Sequence, residues 1–134
     1  ELFDVSDMAL PTSRGGVTLG GMGSWSEARW DRHAFTYQAD INAIDRLTIP
    51  VSLYDESSGV GTWEHSLQLF EIHDKATPDL ASLLQVGSIV PPQAPDLWVE
   101  RNRAFIHDDT VYFIQNENVW SAFWNSPTLL NGPF

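Results

Sequence analysis

The chain contains no cysteine. That rules out a disulfide scaffold, a thiolate metal site and a cysteine nucleophile, and leaves the compartment open. Lysine is almost missing as well: Lys75 stands alone among seven basic residues, against 18 acidic ones, for a formal net charge of −11. So acidic a chain repels phosphate backbones and anionic lipid, and no local basic patch offsets it, so nucleic acid is not an expected partner. No apolar run approaches the roughly 20 residues of a membrane span. The opening ELFDVSD has neither the basic start nor the apolar stretch of a signal peptide. It begins with Glu1 instead of an initiator methionine and reads at once as a strand, so a fragment or processed chain is expected.

Helical periodicity is scarce too. What is present is apolar content of 43%, aromatic content of 12% and six tryptophans in 134 residues, enough for the core of one ordered domain. Apolar side chains alternate or run in short blocks between turn residues, which favours β structure. Strands are predicted at 1–5, 14–20, 34–38, 46–53, 66–72, 83–90, 103–107, 110–115 and 119–124. The breaks ADIN, DESSGVG, HDD, NEN and PPQAP carry turn chemistry. Asp7 and Asp74 are expected to cap the turns after their strands. Pro50, inside LTIPVSL, marks an edge, a bulge or an end of pairing.

An internal repeat organises these strands. LFDVSDMALP (2–11) aligns with LFEIHDKATP (69–78) at a spacing of 67 residues, matching Leu2/Leu69, Phe3/Phe70, Asp7/Asp74, Ala9/Ala76 and Pro11/Pro78. The same spacing carries VTLG (17–20) onto LQVG (84–87), and WDRHAF (30–35) is echoed by WVERNRAF (98–105). A repeat that is one four-stranded antiparallel sheet is the signature of a β-propeller blade. The expected fold is therefore all-β and propeller-type: one partial domain over 1–134, with units at about 1–33, 34–90 and 98–134. Insertions such as 54–65 would explain a period longer than the usual roughly 40–50 residues.

LFDVSDMALP, LGGMGSWSEARWDRHAF and VERNRAFIHDDTVYFIQNENV together resemble the secreted bacterial and archaeal β-propeller domain proteins distantly related to WD repeats, over about residues 2–123. SEARWDRHAF is the most specific block. The resemblance implies an exported protein (extracellular, periplasmic or at the cell surface) with no established catalytic chemistry, used for binding and scaffolding. About two blades cannot close a ring, so the implied partners are other chains or the remaining blades of the same propeller.

The crowded stretch GMGSWSEARWDRHAF (21–35) then reads as the loop leading into an inner strand, with Glu27, Asp31 and His33 near the channel mouth. Two carboxylates and an imidazole have the chemistry to hold Zn²⁺ or a hard cation. Alternatively His33, oriented by Asp31, would act as base for Ser26 or a water, making the protein a metal-dependent or hydrolytic enzyme. The competing role is a buried polar joint between blades, its charges paired with Arg29 and Arg32 from the same loop. No residue is assigned a catalytic role, and the cofactor is left undetermined between Ca²⁺, Zn²⁺ and none. YDESSGVGTWE is oxygen-rich and glycine-rich, making Asp55, Ser57 and Glu64 the residues of a candidate calcium loop, although the D-x-[DN]-x-[DN]-G register is absent. Exposed tryptophans would suit a carbohydrate-binding surface module, and Trp63 and Trp98, both in predicted loops, are the candidates for ligand contact.

Overall fold

Strand-favouring residues separated by tight turns form ten strands in three antiparallel sheets among the residues described by the computed structural model, 1–39, 44–57, 59–92 and 101–134. Strands β1 (Leu2–Asp4) and β2 (Thr12–Gly15) pair as a two-stranded sheet. Strands β3 (Thr36–Gln38), β4 (Asp45–Asp55), β5 (Thr62–His73) and β6 (Ser82–Ile89) form a four-stranded meander in chain order. A second meander comprises β7 (Arg103–His107), β8 (Thr110–Gln115), β9 (Asn118–Phe123) and β10 (Ser126–Asn131). Among the described residues the longest helical segments are 3₁₀ turns of three residues at Glu27–Arg29, Arg32–Ala34 and Pro78–Leu80.

The turns follow from their residues. Asp108 and Asn116 open the β7–β8 and β8–β9 turns at φ of 51° and 54°, the left-handed region that Asp and Asn tolerate best. Asp7 caps its turn by accepting the Ala9 amide (2.9 Å), and Asp74 adopts φ 53°. Pro50 lies in β4 just past the end of the β3 pairing, which stops at Thr48. Its carbonyl accepts a hydrogen bond from Ser26 Oγ (2.6 Å), and the N and O of one antiparallel residue face the same side. The missing N–H therefore faces a loop and costs no ladder bond.

Two strands depart from expectation. The segment predicted at 14–20 pairs instead at Thr12–Gly15, and the chain leaves the sheet at Gly15 with φ 120°. Strand β10 was not expected, because SPTLLN lacks alternation and carries Pro127. It is the edge strand of its sheet, where a missing N–H is tolerated.

The two meanders stack face to face. Leu67, Leu69 and Ile89 from the first meet Val111, Phe113, Trp120, Ala122 and Trp124 from the second. In the middle of β5, Ser66 to Phe70 are all buried, so both faces of that strand are covered. Near the turns at one end of the strands, Arg46 sits 5.0 Å from the Trp124 ring centroid and donates to Asp108 O (3.1 Å) and Asp109 Oδ1 (3.0 Å). Trp124 Nε1 returns a bond to Glu71 Oε1 (2.8 Å). Between the inner strands, Thr36 Oγ1 donates to Ala104 O (2.6 Å).

Candidate functional site

The loop into β3 is shaped by its own side chains. Trp25 forms a β-bridge with Ser52, its N–H donating to Ser52 O at 2.9 Å and its carbonyl accepting from Ser52 N at 2.8 Å. Ser26 caps the first 3₁₀ turn by accepting the Ala28 amide, and Asp31 caps the next by accepting the His33 amide (2.9 Å). The Trp25 and Trp30 rings stack at 5.4 Å. These contacts hold Glu27 and Asp31 toward the start of β7.

There Glu27, only 8% exposed, is surrounded by donors. Its Oε2 accepts from Asn102 N (2.8 Å) and Asn102 Nδ2 (3.2 Å), and its Oε1 from Arg103 Nη1 (3.0 Å). The other arm of the Arg103 guanidinium donates to Asp31 Oδ2, and Nη1 also reaches Asn102 O (2.7 Å). A single arginine thus bridges two carboxylates of the loop leading into β3, with hydrogen-bond donors supplied to both. The His33 amide, the His33 ring and the Arg103 charge hold the Asp31 carboxyl below its ordinary range.

The expectation that Arg29 and Arg32 would neutralise this loop is corrected here. The cation is Arg103, at the start of β7, because the polar ends of Glu27 and Asp31 point across the seam between sheets. His33 Nδ1 lies 3.0 Å from Asp31 Oδ1, but its side chain is 70% exposed. Ser26 Oγ is committed to Pro50 O and the Ala28 amide, and no hydrogen bond joins it to His33. Among the described residues, no three His, Asp or Glu side chains are grouped so as to hold a metal ion.

The remaining candidates divide. Asp55 turns its carboxylate onto the Ser57 amide (2.8 Å) and hydroxyl (2.9 Å), which depress its pKa. Trp63 and Glu64 open β5, and Trp63 pairs across the ladder with Tyr54, ring centroids 4.9 Å apart. Asp55, Trp63 and Glu64 come together with Tyr54 and Glu56 around an open groove of about 710 Å³, walled on its other side by Gly20, Gly21 and Met22. Trp98 lies outside the described residues.

Two residue groups were missed from sequence. Asn102 and Arg103 occupy the repeat position aligned with His33, so the echo WVERNRAF held a signal for the joint. Tyr54 and Glu56 become visible only through the β4–β5 register, which places Tyr54 opposite Trp63.

Among curated proteins, and among solved structures, none matches this sequence. The model of one family, the β-propeller domain, matches residues 1–126. That span takes in both meanders up to the start of β10 and the seam held by Arg103, so the stacked four-stranded sheets are propeller blades and the chain belongs to the β-propeller domain family.

Proposed function

We propose that this chain is a non-catalytic binding and scaffolding module, part of an exported propeller completed by further blades or by other chains. The observation that carries this reading is the Arg103 joint: the carboxylates that would have served a hydrolase or a metal are taken up in holding one blade to the next. The open face of the last blade adds support. There Phe105 and Tyr112 stack at 4.4 Å beside Phe123, which is 62% exposed, a surface suited to another blade. The excess of 18 acidic over seven basic residues suits a soluble surface in an exported setting.

Sedimentation equilibrium of the protein tests the assembly. A particle containing several 15.0 kDa chains, or a longer polypeptide with further blades, is expected. A stable, well-folded monomer of this mass would overturn it. Fractionation of the native cell, with the protein found outside the cytoplasmic membrane, tests export.

A further inference from the structure

The Tyr54–Trp63 groove is set apart from the joint by position and by chemistry. It lies where β4 turns into β5, against the segment at Gly20–Met22. That wall is fixed: Gly21 N donates to Tyr54 O (3.3 Å), and Ser24 Oγ accepts the Tyr54 amide (2.9 Å). The Tyr54 ring is fixed as well. A Cβ at Gly61 would stand 2.1 Å from Tyr54 Oη, so glycine there lets the phenol lie across the turn. The Glu56 carboxylate nearby raises the pKa of the same hydroxyl. Trp63 remains 46% exposed, its ring stacked on His65 at 6.3 Å.

Around these two rings stand Asp55, Glu56 and Glu64, and among the described residues no lysine or arginine lines the groove. Aromatic faces and carboxylates both attract cations, the rings through their quadrupoles and the acids through charge. A neutral sugar would need donors as well as acceptors, and among the described residues the lining side chains offer few donors: the Tyr54 hydroxyl lies beside the Glu56 carboxylate, and Thr62 Oγ1 donates to Asp55 O (3.5 Å). The net charge of −11 draws cationic partners toward the surface. The groove is also partly open to solvent, so a polypeptide side chain can enter it.

We propose that this groove binds a basic polypeptide segment, seating a lysine or arginine side chain against Trp63 and Tyr54 with Glu56 and Glu64 as counter-charges. The assignment rests on the binding-module reading above and names the class of ligand.

Titration calorimetry at about 0.15 M salt with acetylated, amidated tetra-arginine tests it, with tetra-citrulline as the neutral match. Trp63→Ala and Glu64→Gln are each expected to weaken tetra-arginine binding about fivefold or more, and tetra-citrulline is expected not to bind. Asp74→Asn removes the same unit charge beyond the far end of β5, at a φ of 53° that asparagine accepts, and should leave affinity unchanged. The proposal is overturned if Asp74→Asn weakens binding as much as Glu64→Gln, since the attraction would then be general charge. It is equally overturned if Trp63→Ala and Glu64→Gln both bind as the parent does. Binding of a neutral tetrasaccharide that Trp63→Ala abolishes and Glu64→Gln spares would reassign the groove to glycans. A protein that binds no tetra-arginine yet still forms the larger assembly loses the groove assignment and keeps the propeller reading.

Discussion

The Arg103 joint and the Tyr54–Trp63 groove are both made of carboxylates beside tryptophan, and they dispose of charge in opposite ways. At the joint, Glu27 is buried and receives three hydrogen bonds, two from Asn102 and one from Arg103. At the groove, three carboxylates gather on an open rim that no arginine or lysine among the described residues lines. The difference follows from desolvation. A carboxylate between two packed sheets must be paired or it destabilises the fold, whereas one facing water keeps its hydration and stays available. The same residue types are therefore buried and structural in one place, while in the other Asp55 is held only by exposed local bonds to Ser57 and the rim faces water, where it can meet a partner.

The largest test of that contrast is Glu27→Ala. Removing this carboxylate leaves the Asn102 amide without its acceptor and the Arg103 charge with one carboxylate where it had two. A loss of about 3 kcal/mol in urea unfolding is expected. If the variant retained parental stability, the joint would not be the structural element described here.

Next in size is Trp124→Phe, at the other end of the same seam. It keeps an aromatic ring in the core but removes the bond to Glu71 and weakens the contact with Arg46. About 2 kcal/mol should be lost, read from the urea midpoint. A loss confined to a few tenths would mean that the Arg103 end alone carries the polar part of the seam.

How much of this was legible in sequence depends on how local the cause is. The tight turns at Asp108 and Asn116 were readable because residue type alone sets a left-handed turn. Four-stranded antiparallel sheets were readable as a class because the repeat announces one β unit twice. Strand β10 was hidden, since an edge strand with Pro127 needs no alternation to pair on one side. At the site, Glu27 and Asp31 were legible as a polar joint, but their partner was not. Arg29 and Arg32 are nearer in sequence, and only sheet stacking brings Arg103 across more than 70 residues of chain to meet them. The groove was half legible: Trp63 and Glu64 stood out as loop-side residues, while Tyr54 required the pairing register.

Acid offers a subtler probe of the joint. The folded pKa of Asp31 lies below its ordinary value of 3.8, chiefly through the His33 amide, with the His33 ring and Arg103 adding to it. Asp4 is likewise held at about 2 by the Ser6 hydroxyl and amide and by Arg14. For a depressed carboxyl the unfolded chain takes up the proton first, so its contribution to stability is full above the unfolded pKa and disappears as pH falls through the folded one. The urea midpoint should therefore drop steadily below about pH 4, and Asp31→Asn should flatten part of that drop. An identical acid limb in the variant would show that the His33 amide and ring and Arg103 together do not hold the Asp31 carboxyl down.

The smallest expected effect is Glu64→Gln, and it bears on the groove alone. If Glu64 is free to meet a partner, neutralising it breaks no internal pair and slightly relieves repulsion from Glu56 and Asp55 on the same rim. Stability should then stay within about 0.5 kcal/mol of the parent, with any gain shrinking as salt screens the rim. Urea midpoints at low and moderate salt measure this. A loss above about 1 kcal/mol would mean that Glu64 is tied into the fold as Glu27 is, leaving one kind of carboxylate site in the molecule where the structure describes two.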